Sequence, residues 1–337
     1  MNATMSLEQK EHYPVMLNQV LSIISPQHGG TFIDCTFGGG GYSQAILKFP
    51  DTKVLALDRD KITQKKADIL IKKFPARFSF FRDKFSNLSK IVNQKLKPKA
   101  IIFDLGLSSF QLSDDKRGFS FNSENYLNME MGINEDSTHN VVNTFGKEKL
   151  GKIIKILGEE KEGRAIANKI YKYRLTKTIN TSKELSYIIK GAKRNFRKNK
   201  INAATKTFQA IRIFVNKELT ELILGLTEAA KLLPNDGVLV VVSFHSLEDK
   251  IVKNFFNLYS NLKKNPSRYL PPEEHNSNFF KSISKKPLVA NIKEIKKNNQ
   301  SRSAKLRYAI RNANSFLHST EFKNKFMDYL KLEGNRI

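Results

Sequence analysis

In the first hundred positions, apolar residues come in short unbroken runs separated by stretches with a helical repeat. "TFIDCTF" (31–37), "KVLALD" (53–58), "RFSFF" (77–81) and "KAIIFDLG" (99–106) read as four strands. Between them, "SQAILKF", the stretch from Lys61 to Lys73 and the region near Phe85 to Leu96 carry apolar positions at helical spacing. Continuous apolar strands joined by helices indicate a parallel sheet covered on both faces. The pattern predicts a doubly wound α/β fold, whose ligand sits beyond the carboxyl ends of the strands.

From about residue 112 to about 205 only helical periodicity remains. Leu150, Ile153, Ile154 and Leu157 share one helix face, and Ile166, Ile170 and Tyr173 share another. Thr181 and Glu184 have capping-box spacing and open a helix with Leu185, Ile188 and Ile189 inward. "GVLVVVSF" (237–244) then returns as a buried strand, so an all-helical insertion in an α/β domain explains the order. The segment leading back, "TKTFQAIRIFVNKELTELI", reads as one helix with Phe208, Ile211, Val215, Leu219 and Leu222 on its core side. Gln209, Arg212 and Asn216 fall together on its polar side. Asn257 to Gln300 is basic, broken by prolines and weakly periodic, and reads as a long surface excursion. "SAKLRYAIRN" follows as a last strand, and the tail after Asn314 as helical and polar. The expected division is a discontinuous domain of residues 1–112 and 206–320, a helical insertion of 113–205, and a tail of 321–337.

Charge changes the picture more than composition does. Hydrophobic content of 40% is ordinary, but 58 Lys and Arg against 32 acids leave a net charge of +26. Such an excess favours a polyanionic partner, most simply nucleic acid. A compositional bias toward Lys, Asn, Ile and Phe is the alternative source of it. The single cysteine, Cys35, rules out an internal disulfide framework or a cysteine zinc cluster, and in an apolar strand it reads as a small core residue. The N-terminal residues lack the apolar stretch of a signal peptide, and no run approaches the roughly 18 apolar residues of a membrane span. A soluble, cytoplasmic protein is expected.

The candidate chemistry starts at "FIDCTFGGGGYS" (32–43). Four consecutive glycines, Gly38 to Gly41, cost backbone entropy, which makes sense where the backbone must turn sharply and approach something closely. Asp34, Asp58 and Asp104 fall at comparable strand ends and converge on one crevice. Asp58 lies 20 residues beyond Gly38, the spacing at which a carboxylate accepts ribose hydroxyls. From Gly38 the loop runs Gly-Gly-Gly-Gly-Tyr-Ser, so Ser43 stands where a dinucleotide loop has its third glycine; no Gly-Lys-Ser/Thr follows, which excludes a Walker loop. A glycine loop flanked by acids suits S-adenosylmethionine, cationic and without a pyrophosphate, better than NAD. Asp34 reads equally well as a carboxylate that steadies the loop.

Eight separated motifs then carry a resemblance. "HYPVML" (12–17), "DCTFGGGGYS", "LDRD" (57–60), "DLGLSSFQL" (104–112), "RGFSF" (117–121), "TKTFQAIRIFVNKEL" (205–219), "SFHSLEDKIVK" (243–253) and "SRSAKLR" (301–307) together resemble the bacterial ribosomal RNA small-subunit methyltransferase H family, also called MraW. The resemblance runs from about His12 to Arg311. It implies a Rossmann-like methyltransferase sheet and transfer of methyl from S-adenosylmethionine to the N4 amine of a cytidine in the decoding centre of 16S rRNA. It also implies cofactor contacts at Gly40, Gly41 and Tyr42, ribose held by Asp58, adenine packed on Phe85, and further contacts from Asp104 and Gln111. The chain departs from the family pattern at Tyr42, where histidine is usual, in "NMEMG" (128–132), where two carboxylates and a cation are lost, and at Asn202-Ala203 in place of histidine-proline.

Cytosine's exocyclic amine is conjugated with its ring and is a poor nucleophile, so transfer needs alignment and acceptors for its N–H bonds. DNA amino-methyltransferases supply these from an Asp/Asn-Pro-Pro-aromatic segment; "DLGLSS" holds that place here without prolines or an aromatic. Asp104, the carbonyls of Leu105 to Leu107, and Ser108 or Ser109 are the candidate acceptors. His245 stands just before a capping-box spacing of Ser246 and Asp249, and is a candidate for touching the cytosine or relaying a proton. No metal is expected, since the histidines are not grouped as ligands. RNA would meet "KGAKRNFRKNK" (190–200) around Phe196, "KSISKK", "KEIKK" and Arg302 to Arg311. The implied partner is 16S rRNA or the small ribosomal subunit, with no membrane; pairing as a homodimer is left open. The alternatives are the same cofactor acting on another RNA or DNA amine, an RNA-binding ribosome-assembly factor, and, more distantly, an NAD oxidoreductase.

Overall fold

The computed structural model describes residues 14–93, 95–193, 202–260, 278–317 and 319–334, with the side chain of Ser109 outside the described set. The strands are β1 (Gly30–Asp34), β2 (Thr52–Leu57), β3 (Phe78–Phe81), β4 (Ala100–Asp104), β5 (Val238–Ser243), β6 (Phe280–Ile283), β7 (Leu288–Val289) and β8 (Lys305–Arg311). The helices up to the last parallel strand are α1 (Leu17–Ile24), α2 (Gly41–Leu47), α3 (Gln64–Lys73), α4 (Leu88–Ile91), α5 (Ser109–Ser113), α6 (Thr138–Thr144), α7 (Lys147–Leu157), α8 (Gly163–Arg174), α9 (Ser182–Ala192), α10 (Thr205–Asn216) and α11 (Glu218–Leu232). After it come α12 (Ser246–Leu258), α13 (Ile292–Lys297), α14 (Ser319–Lys325) and α15 (Met327–Leu332).

The sheet runs β3-β2-β1-β4-β5-β8-β6, with β7 also on β8. β1 to β5 are parallel, while β8 is antiparallel to β5, β6 and β7. From β1 the chain builds outward to β3, then crosses back to β4 and builds the other way. A crevice therefore opens between the carboxyl ends of β1 and β4, the switch point where ligands bind in this architecture.

Alternate residues of each central strand face opposite sides of the sheet, and both sides are apolar. Ile33, Ile101, Phe103, Leu239 and Val241 join one buried cluster, while Phe32, Ala100, Ile102, Val240 and Val242 join the other. This two-sided burial is why the strands read as unbroken apolar runs. The first cluster continues without interruption into Leu150, Ile153, Ile154 and Leu157 of α7 and Ile166 and Ile170 of α8. The helical segment is thus fixed to the sheet by a shared core, with α7 and α6 packed on α10.

Several expectations are corrected. The single helix expected from Thr205 onward is two, α10 and α11, broken at Lys217, whose φ of 50° and ψ of 40° are left-handed. Lysine carries no breaker signal, so only packing sets this break. Asn216, expected on a polar face, is fully buried. It accepts from Met131 N (2.8 Å) and donates to the carbonyls of Met129 and Arg212 (2.9 and 2.8 Å). Truncating it would leave buried backbone groups unpaired, at about 1–3 kcal/mol each. Within 257–300, read as a surface excursion, β6, β7 and α13 are regular structure, while 261–277 lie outside the described residues, as does Phe196 with the basic stretch 194–201. The tail is helical but not simply polar, since Phe322, Phe326 and Leu330 are buried against α11 and α12. Beyond α15, Glu333 accepts the amides of Leu219 (3.4 Å) and Thr220 (2.8 Å), which caps α11 from the far end of the chain. No described helix is long and apolar enough to cross a membrane.

Candidate active site

The glycine loop leaves β1 and enters α2 under tight constraint. Gly40 is left-handed, with φ 77°, and is the residue from which α2 starts; a side chain on it would also meet the Phe37 ring at 2.8 Å. At Gly41 a Cβ would lie 2.2 Å from Pro14 Cγ. The loop is therefore glycine partly because the protein's own Pro14 and Phe37 approach it, which sequence could not reveal. Its amides are also steered by carboxylates. Asp58 accepts Gly38 N (2.7 Å) through one oxygen and Asp60 N (2.9 Å) through the other. Asp34 accepts Ser43 Oγ (2.7 Å) and Thr36 N (3.3 Å), the loop-steadying role.

Asp104 ends β4 across the crevice. Its amide donates to Thr36 Oγ1 (2.7 Å), but its carboxylate Oδ1 is enclosed and has no hydrogen-bond partner within the protein. Burial pushes Asp34 and Asp58 from 3.8 up to about 6. Burial, then the charges of Asp34 and Glu248, push Asp104 well above the carboxylate range. Among the described residues none of these three acids forms an ion pair. Charge on each of the three is therefore opposed by burial, and on Asp58 and Asp104 by neighbouring carboxylates as well.

The structure gathers the other expected residues unevenly. Ser108 caps α5: its Oγ accepts Gln111 N (3.3 Å) while Gln111 Oε1 accepts Ser108 N (2.9 Å). The amide group of Gln111 donates to Asp60 Oδ2 (2.9 Å), and Arg117 forms an ion pair with the same oxygen. Asp60 and Arg117 were not singled out from sequence, although "LDRD" and "RGFSF" contain them. The Tyr42 side chain turns into the core, and its hydroxyl donates to the Val15 carbonyl, which leaves only its backbone for a ligand. Phe85 packs edge-on to Phe103 with centroids 5.3 Å apart, against Gly225, where a Cβ would lie 2.4 Å from the Phe85 ring.

His245 corrects the expected cap. The residue capping α12 is His245 itself, one position earlier than the Ser246–Asp249 spacing implied. Its Nδ1 accepts Glu248 N (3.4 Å), and Glu248 Oε2 accepts the amides of Phe244 (2.8 Å) and His245 (3.2 Å). Nε2 stands 3.2 Å from Glu248 Oε1 but is not aligned for a hydrogen bond. Burial works to raise the Glu248 carboxyl, but His245, the Phe244 amide and Arg212 together hold it below its usual value. The expectation that histidines stand apart from other ligands is also corrected. Glu218, His245 and Glu248 each bring a ligand atom within 4.8 Å of the others. Arg212 already neutralises Glu218 through two bonds of 2.8 and 2.9 Å.

Similarity to known proteins agrees with this geometry. The model of the MraW methylase family matches residues 9–312. Ribosomal RNA small subunit methyltransferase H of Parvibaculum lavamentivorans is 40% identical over 304 residues, covering 90% of each chain. The protein of the same name from Rickettsia massiliae is 43% identical over 302 residues, covering 89% of this chain and 98% of that one. That from Ehrlichia canis is 43% identical over 303 residues, covering 88% and 98%. With a match from the glycine loop through β8 and the crevice formed by its motifs, this chain belongs to the MraW methylase family.

Proposed function

We propose that the protein transfers a methyl group from S-adenosylmethionine to the N4 amine of a cytidine in the decoding centre of 16S rRNA, working in the cytoplasm. Family membership supports methylation of small-subunit ribosomal RNA; the cytidine and its nitrogen are the finer reading. The observation that carries it is the set of three strand-end carboxylates, Asp34, Asp58 and Asp104, gathered at the switch point with no ion-pair partner among the described residues. A cationic ligand relieves that field, whereas a pyrophosphate would add to it.

Bound there, S-adenosylmethionine supplies an electrophilic methyl on positively charged sulfur. The glycine loop around Gly40 and Gly41, Asp58 and the Gln111–Asp60 pair would hold it. Phe85 would enter only through the edge of its ring, and Tyr42 only through its backbone. Asp104 is the acceptor best placed for the amine, because it ends β4 at the crevice, half-buried, with its carboxylate in no ion pair among the described residues. A cation held nearby would lower the affinity of Asp104 for a proton, and the ionised carboxylate could then accept the proton the amine must shed. Ser108 is committed to its cap. His245 receives the Glu248 amide at Nδ1, so the neutral ring carries its proton on Nε2 and can donate there rather than accept. Its role becomes orientation of the base and of Glu248.

The decisive experiment incubates the protein with labelled S-adenosylmethionine and isolated small subunits, digests the RNA and identifies the modified nucleoside. Label on the N4 position of one cytidine is expected. Label on another base, or cofactor binding with no transfer to any ribosomal substrate, would overturn the reading, the second outcome favouring an RNA-binding assembly factor.

A further inference from the structure

A second concave surface lies on the helical segment, away from the glycine loop. It is a cleft of about 700 Å³ walled by residues 121–124 on one side and by 177–190 on the other. Tyr187 stands on its rim and is 76% exposed, an unusual setting for an aromatic ring on a regular helix. Lys183 and Lys190 lie four residues before and three after it, on the same face of α9. Lys177 and Lys183 pair with Glu184 (2.9 Å) and Glu124 (2.5 Å), while Lys190 forms no ion pair among the described residues. Beside the cleft, Tyr126 is 54% exposed and stacks on His139 with centroids 4.9 Å apart. His139 in turn meets the side chain of Asn180, which lines the cleft, at 3.2 Å.

The cleft is linked to the crevice by a chain of bonds. Lys183 N donates to the Ser123 carbonyl (3.0 Å), and Ser182 Oγ to that of Gly118 (2.7 Å). The residue before Gly118 is Arg117, which grips Asp60 beside Gln111.

We propose that this cleft is a nucleotide-binding subsite for the substrate RNA. An unpaired base stacks on Tyr187, and the adjoining phosphates meet Lys183 and Lys190. The inference rests on the reading of the protein as an RNA methyltransferase and deepens it. An exposed ring with ammonium groups one turn to either side matches the alternation of base and phosphate along a single strand. A docking protein is less well matched, since interface cores are poor in charge and this rim carries Lys177, Lys183 and Lys190 against Glu124 and Glu184. A strand held here would also be fixed in register with the crevice, so that a neighbouring cytidine can be turned out of its stack toward Asp104.

The test uses the full chain, a labelled single-stranded RNA of about 15 nucleotides and isolated small subunits, with affinity followed across a salt series. Tyr187→Ala is expected to weaken RNA binding about tenfold, and Tyr187→Phe to restore it. Lys190→Ala is expected to reduce the slope of log affinity against log salt by about one. Binding of S-adenosylmethionine by all three variants stays at the wild-type level, which certifies the fold. Wild-type RNA affinity in Tyr187→Ala would overturn the inference, as would a loss confined to self-association. If the wild-type protein bound neither RNA, the reading beneath it would fall as well, and the two failures are thereby distinguished.

Discussion

At the carboxyl ends of β1, β2 and β4 the carboxylates of Asp34 and Asp58 are already bonded to the glycine loop and its flanks, and an enclosed oxygen of Asp104 is left over. On α9 the reverse holds: Tyr187, Lys183 and Lys190 stand in solvent, and of the three only Lys183 has an ion-pair partner among the described residues, the exposed Glu124. The first region is preorganised for one small ligand whose charge must be matched. The second offers rings and ammonium groups to a large polyanion whose shape can adjust. Chemistry is served by groups that cannot move, and presentation by groups that can, because alignment sets the rate of transfer while salt-sensitive contacts set occupancy.

Removal of Asp104 is the severest test of that contrast. Asp104→Ala is expected to cut turnover by about 10²-fold while RNA affinity stays unchanged, the opposite profile to Tyr187→Ala. Since Oδ1 bonds to nothing within the protein, the fold is expected to survive, and a melting curve checks it. Full turnover with intact cofactor binding would remove Asp104 from the chemistry. His245→Gln comes next. Turnover is expected to fall about tenfold, with a smaller change in cofactor affinity and a loss of about 1 kcal/mol in stability from the altered cap. Equal losses of turnover and cofactor affinity would leave His245 only the cap.

The smallest effect is in the pH response. Asp34 and Asp58 titrate at about 6 in the folded protein against 3.8 for the free side chain, so the folded state holds extra protons between those values. Their contribution to stability is present below about 4, declines as pH rises through about 6, and is gone above it. A cationic ligand favours the ionised carboxylates. The rise in melting temperature with S-adenosylmethionine is therefore expected to be larger at pH 7.5 than at pH 5, and equal rises would show that the acids do not sense the ligand's charge.

Much of the crevice was legible because burial on both faces writes itself into strands as continuous apolar residues. Asp34, Asp58 and Asp104 stood out as acids ending such runs, and the structure places all three at the switch point. What escaped notice depends on distant partners. Gly41 is required by Pro14, Tyr42 is drawn inward by the Val15 carbonyl, and Asp60 acquires its importance from Gln111 and Arg117. The break at Lys217 and the cap at His245 use residues that carry no local signal for either task. β6 and β7 were hidden because they are short and lie at the edge of the sheet, with Lys281 and both residues of β7 exposed. The cleft on α9 was missed for a related reason, since a lone tyrosine among lysines looks like any solvated helix until the opposing wall is seen.

Glu333, which closes the first turn of α11, lies 113 positions beyond Thr220, whose amide it accepts. During synthesis that turn stays uncapped until the chain has been extended past Glu333, well after the parallel strands and both central helices are made. Completion of the helix supporting Glu218 is thus postponed until the residues beyond α15 have emerged and folded back onto it.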